Sequence, residues 1–171
     1  MKQNLFLTLA ATLLIIVGSN AMARAENSVI VVQEDAPLKV LSYTAEFDVE
    51  DKKALVEHEV KYQNVSKAKI VSARFGLLEF NGYGELIDAF CGYSLEDSNK
   101  GEKDSATFID IAEHSAFFED YGAGYVWVDA VRYADGSLWK VDRAQILAEV
   151  QKVKPEISAA DLDKEKCVAA D

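Results

Sequence analysis

The residue types best suited to chemistry lie in the polar stretch Leu95–Ser105, where Asp97, Asn99, Glu102 and Asp104 crowd four oxygen-bearing side chains into one short run. Hard divalent cations take several oxygen ligands from a single loop, so this run is the candidate metal site. Its spacing departs from an EF-hand: Gly101 comes one place early, and Phe108 stands at the twelfth position from Asp97, where a glutamate belongs. Asp110, Glu113 and His114 have the types of an acid–base set, but no sequence neighbour orients the histidine toward a substrate. No Ser/His/Asp spacing or cofactor fingerprint accompanies them, so no catalytic residue is assigned, no cofactor is expected and an enzyme is the least favoured class. The glycines of Asn81-Gly82-Tyr83-Gly84 precede neither a helix start nor a lysine at P-loop spacing and read as a bend. Four aromatic side chains in loops or at strand ends, Tyr83, Tyr93, Phe117 and Tyr121, form the candidate recognition patch.

The start of the chain bears on its compartment. Lys2, the apolar run Leu5–Val17 and the small residues Ala23 and Ala25 have the order of a secretory signal peptide, with cleavage expected after Ala25 and Ala23 as the second candidate. The apolar run falls short of the ~20 residues a membrane helix needs, so no stable membrane anchor is expected. Residues 26–171 then read as one periplasmic or secreted domain. Asp and Glu number 29 against 18 Lys and Arg, for a formal charge of −11, which repels phosphate backbones and excludes nucleic acid as an expected partner. In an oxidising compartment the two cysteines, Cys91 and Cys167, are most simply a disulfide that pins the C-terminal tail, since neither has zinc-type spacing to a histidine.

These residues need elements to hold them, and the periodicity supplies strands. Short strands are read over Ser28–Gln33, Leu38–Phe47, Leu55–Gln63, Lys69–Phe80 and Ala106–Ile111, with Leu86–Tyr93 as a strand or loop and the acidic Asp48–Lys53 as a turn. In Leu55–Gln63, Val56, His58, Val60 and Tyr62 point one way and Glu57, Glu59, Lys61 and Gln63 the other, so His58 is expected to be a packed histidine with its ring nitrogen satisfied. In Lys69–Phe80 the apolar face is Val71, Ala73, Phe75 and Leu77. Asn64-Val65-Ser66 is formally a glycosylation acceptor, although turn chemistry explains the residues equally well. Asp135-Gly136 in Tyr125–Asp142 predicts a two-residue type I′ hairpin, with Tyr133 facing Leu138 and Arg132 facing Trp139, guanidinium over indole. Asp142 caps a helix running to about Lys154, with Ile146, Leu147, Val150 and Val153 on one face and Pro155 as its stop; Ser158 and Asp161 then stand at capping spacing.

Many short strands with helix confined to the C-terminus point to a mainly β protein, an antiparallel β-sandwich with one C-terminal amphipathic helix. Residues 57–86 and the segment Val131–Lys140, VRYADGSLWK, resemble the immunoglobulin-like sandwich modules of secreted bacterial proteins. That resemblance implies a scaffold without a shared active site, so it carries no functional residue across. Cys91 and Cys167 do not flank a tryptophan as the cysteines of antibody domains do. The expectation is a non-catalytic exported interaction module with an extracytoplasmic protein as its partner. The alternative is a small-ligand or divalent-cation binding protein using the loop from Asp97 to Asp104.

Overall fold

The computed structural model describes residues 28–50, 53–113, 121–163 and 166–170. The expected leader, His114, Phe117 and Phe118 lie outside them. The strands are β1 (Ser28–Ile30), β2 (Leu38–Glu50), β3 (Lys53–Asn64), β4 (Ile70–Asn81), β5 (Leu86–Ser94), β6 (Lys103–Glu113), β7 (Tyr121–Tyr133), β8 (Leu138–Lys140) and β9 (Lys166–Ala169). A helix, α1 (Arg143–Gln151), and a single 3-10 turn (Ala160–Leu162) separate β8 from β9.

The strands form a mainly β sandwich. One sheet has the order β2-β3-β6; the other has the order β1-β7-β4-β5-β9, with β8 also paired to β7. The central pairings are antiparallel, while the short terminal strands β1 and β9 join β7 and β5 in parallel. Long connections precede both parallel pairings, which is what parallel pairing requires. The larger sheet is therefore mixed, where a purely antiparallel one was expected.

The alternation read in β3 puts Val56, His58, Val60 and Tyr62 into the interior. In β4, Ala73, Phe75 and Leu77 face the same interior, but a register shift between Ile70 and Ser72 brings Ile70 into the core in place of Val71. Phe75, Phe90, Phe108 and Tyr62 fill the space between the sheets. A second core lies on the outer face of the larger sheet, where Ile146 and Val150 of α1 with Ile157 and Leu162 cover Leu78, Phe80, Tyr125 and Trp127. Burial on both faces explains why β4 reads as a continuous apolar run from Phe75 to Phe80, broken only by Gly76 and Glu79.

Asp142 caps α1 as expected, accepting from the Ala144 amide at 2.9 Å. The helix ends at Gln151, short of Lys154, because the chain tightens into turns ahead of Pro155. Val153 is consequently 64% exposed and leaves the apolar face assigned to it. The hairpin register also differs by one residue from expectation. Ala134-Asp135-Gly136 is a three-residue loop, with Gly136 at φ 86 and the Asp135 carboxylate accepting from the Ser137 amide and hydroxyl. Arg132 therefore pairs with Leu138 and Val131 with Trp139. A one-residue shift exchanges faces, so Trp139 packs toward the inter-sheet core and the expected stacking of Arg132 on Trp139 does not form.

The β2–β3 pairing continues through the expected acidic turn as far as Glu50 and Lys53, because backbone pairing does not require apolar side chains. Cys91 and Cys167 are register partners in β5 and β9 and form the expected disulfide. No helix among the described residues is long and apolar enough to cross a membrane.

Candidate functional site

Helix α1 covers only part of the outer face of the larger sheet. On the uncovered part, the register lines up Lys140, Ala130, Arg74 and Tyr93 across β8, β7, β4 and β5, with Leu138, Arg132 and Ser72 in the adjoining row. Strands lie about 4.8 Å apart, so long side chains in these rows meet above the small Ala130. The result is a concavity of about 310 Å³ lined by three cations and no carboxylate.

A bulge fixes the central cation. Arg74 pairs with Ala130 and Phe75 with Val128, leaving Asp129 as the extra residue of β7. Asp129, 3% exposed, accepts from Arg74 Nε at 2.6 Å and from Trp127 Nε1 at 3.4 Å. Arg74 Nη1 reaches the Tyr93 hydroxyl at 3.5 Å, and the guanidinium lies 6.0 Å from the centre of that ring. Partial burial opposes the charge of Arg74, but the Tyr93 hydroxyl and the Asp129 carboxylate outweigh it and raise its pKa. Arg132 and Lys140 have no carboxylate partner among the described residues.

The second polar assembly is internal. Glu79 and Asp88 face each other across β4 and β5, and Asp110 projects from β6 of the opposite sheet. One carboxylate oxygen from each lies within 4.8 Å of the others, a spacing that a hard cation can bridge; no other such group occurs among the described residues. His58 Nε2 is 2.8 Å from Glu79 Oε1, and Nδ1 is 2.7 Å from the Tyr43 hydroxyl. A neutral ring protonated on Nε2 donates to Glu79 and accepts from Tyr43, so both nitrogens are engaged, as expected for a packed histidine. His58, Glu79 and Asp110 are buried, and Asp88 is half-buried. Burial, with Tyr121 and Glu79 nearby, raises the pKa of Tyr43 well above the ordinary tyrosine value; Tyr121 is raised by burial and Glu79.

The expected aromatic patch is not one surface. Tyr83 is 85% exposed at the β4–β5 turn, whereas Tyr93 lies near the far end of β5, on the order of 23 Å along the strand. Tyr121 turns inward, with its ring edge-on to His58, and Phe117 falls outside the described residues. Of the three described, Tyr93 is the one brought beside the cations.

The polar loop closes on itself. Asp97 pairs with Lys69, Glu102 Oε2 accepts from the Asn99 amide at 2.7 Å and from its side chain at 3.0 Å, and Asp104 accepts from Ser105 at 2.8 Å. Gly101, at φ 81, makes the turn. Asn64 is buried: its side-chain amide donates to the carbonyls of Ala68 and Ser98 and its oxygen accepts from Ser66, so turn chemistry accounts for the residue.

Sequence reading missed the union of Arg74, Arg132 and Lys140, because it depends on which strands neighbour β4. It also missed the internal carboxylates, for which a signal existed: Glu79 interrupts the otherwise apolar Phe75–Phe80. No protein-family model matches the chain, and no curated protein matches it. Among solved structures, one titled as a hypothetical protein from Peptoclostridium difficile 630 is similar over 70% of this chain and 92% of its own, with 12% identity and a TM-score of 0.48.

Proposed function

We propose that the chain is an exported, non-catalytic interaction module of the immunoglobulin-like kind, which holds an extracytoplasmic protein partner on the uncovered outer face of its larger sheet. The observation that carries this reading is the concavity beside α1, where Tyr93 and the exposed Leu138 sit among long cationic side chains on rigid strands. Aromatic and arginine side chains together are the usual anchors of protein interfaces. A site built on strands also presents its side chains with little ordering cost on binding. The disulfide supports export, since such bonds persist in oxidising compartments.

The test is a cross-linked pull-down from the extracytoplasmic fraction, using the native chain and a Tyr93→Ala/Leu138→Ala variant of unchanged melting temperature. The expected result is a reproducible protein captured by the native chain and lost with the variant. Equal capture by both, or no capture by either, refutes the reading.

A further inference from the structure

We infer that the outer-face concavity is an oxyanion site: its ligand presents a carboxylate or phosphate group to Arg74, Arg132 and Lys140, with an adjoining flat or apolar portion against Tyr93 and Leu138. This rests on the binding reading above and specifies its chemistry.

The chain carries a formal charge of −11, so a concavity lined by three cations and no carboxylate runs against its overall electrostatics. Asp129 balances the charge of Arg74, whereas Arg132 and Lys140 have no carboxylate partner among the described residues, so an anion held here meets two uncompensated cations beside a fixed guanidinium. The cations have distinct parts. Arg74 is held through Nε by the buried Asp129, which fixes the plane of its guanidinium while Nη1 lies toward Tyr93. A guanidinium held in one plane recognises a planar or forked oxyanion with little loss of freedom. Arg132 and Lys140 are exposed, and they lie in the two adjacent rows across β7 and β8, where they can close on the same group. A volume of about 310 Å³ admits an acidic side chain or a small acid, at the lower end of ligand-pocket sizes. The exposed Leu138 and the Tyr93 ring supply the apolar wall that a bare inorganic anion would not use.

The experiment is an amide NMR titration of the intact chain at low ionic strength with inorganic phosphate, with a linear dicarboxylate and with a short Glu/Tyr peptide, each in parallel. Saturable shifts are expected at Ser72, Arg74, Tyr93, Arg132 and Lys140 for at least one probe. Removing a charge-assisted hydrogen bond weakens binding by about tenfold or more per cation, so Arg132→Gln/Lys140→Gln should weaken that probe by about a hundredfold. Both side chains are exposed, so the melting temperature should hold. The exchange Arg132→Lys/Lys140→Arg should keep most of the affinity. The probe that saturates at the lowest concentration identifies the source, a free acid or an acidic segment of a protein.

Three results overturn the inference: no probe saturates, shifts arise away from these residues, or the double glutamine variant binds equally well. A partner captured through Tyr93 and Leu138 but indifferent to loss of both charges would remove the oxyanion chemistry and leave the interaction module standing. Anion binding without any captured partner would do the reverse.

Discussion

Alkaline titration addresses the interior of the sandwich directly, through Tyr43. This hydroxyl is buried and hydrogen-bonded to His58, and burial first, then Tyr121 and Glu79, hold its pKa well above the ordinary value. In the unfolded chain the same group titrates near 10. The folded pKa is therefore the higher one, so the stabilising contribution is complete below about pH 10 and is lost as pH rises above it. At about pH 11 the unfolded state gains roughly 1.4 kcal/mol from ionising this one tyrosine, while the folded state keeps it protonated.

Other tyrosines add to the slope, so Tyr43 is isolated by comparison with Tyr43→Phe. At neutral pH the variant should be less stable by about 1–3 kcal/mol, because a buried ring nitrogen of His58 loses its partner. Between about pH 10 and pH 12 the native chain should lose stability faster than the variant by roughly 1.4 kcal/mol per pH unit. Urea unfolding of both proteins from neutral pH to about pH 12, with phenolate absorbance followed in parallel, measures the difference. A gap between the two proteins that stays constant across this range would refute the placement of Tyr43 in a closed interior.

Other substitutions test separate parts of the structure. Gly76→Ala places a Cβ inside the Trp127 indole, so a loss of about 1–3 kcal/mol is expected in urea unfolding; an unchanged midpoint would contradict the packing of β4 against β7. Replacing Cys91 and Cys167 by alanine opens a bridge with a sequence separation of 76, for which chain entropy gives a loss of about 4 kcal/mol. The melting temperature should fall, and hydrogen exchange should accelerate first in β9; equal protection of β9 with and without the bridge would show that the strand holds without it. Asn64→Ala removes the side-chain donor to the buried Ser98 carbonyl, one of the two to the Ala68 carbonyl and the acceptor of the Ser66 amide, and should cost about 2 kcal/mol by the same unfolding measurement. Asn64→Asp should cost at least as much, because it also removes both donors; a neutral effect would deny the amide its role.

Local pattern carried much of the architecture. Val56, His58, Val60 and Tyr62 declare their face through period two, because a strand with one wet side needs nothing else to orient it. Asp142 announces α1 because capping is settled within a few residues. Where a local rule admitted two answers, the reading slipped: Asp-Gly serves both a two-residue turn and the three-residue loop adopted here, and that choice put Arg132 and Trp139 on opposite faces of the sheet. Val71 yielded its place to Ile70 for a related reason, since a bulge is an adjustment between strands and leaves no mark on periodicity.

The site followed a different logic from the strands. The amino-acid sequence determined that the chain builds a mainly β protein with a C-terminal helix, that β3 turns Val56, His58, Val60 and Tyr62 inward, and that Cys91 has Cys167 as its available partner. Those properties follow from short-range sterics, from the period of the backbone and from the count of thiols. Tertiary structure alone decided that β4 lies between β5 and β7, and so that Arg74 meets Tyr93 on one side and the row of Lys140 on the other. It likewise brought Asp110 across from the smaller sheet to Glu79 and Asp88. Strand order and the stacking of sheets arise from burying two apolar faces at once, and that is a property of the whole chain rather than of any segment.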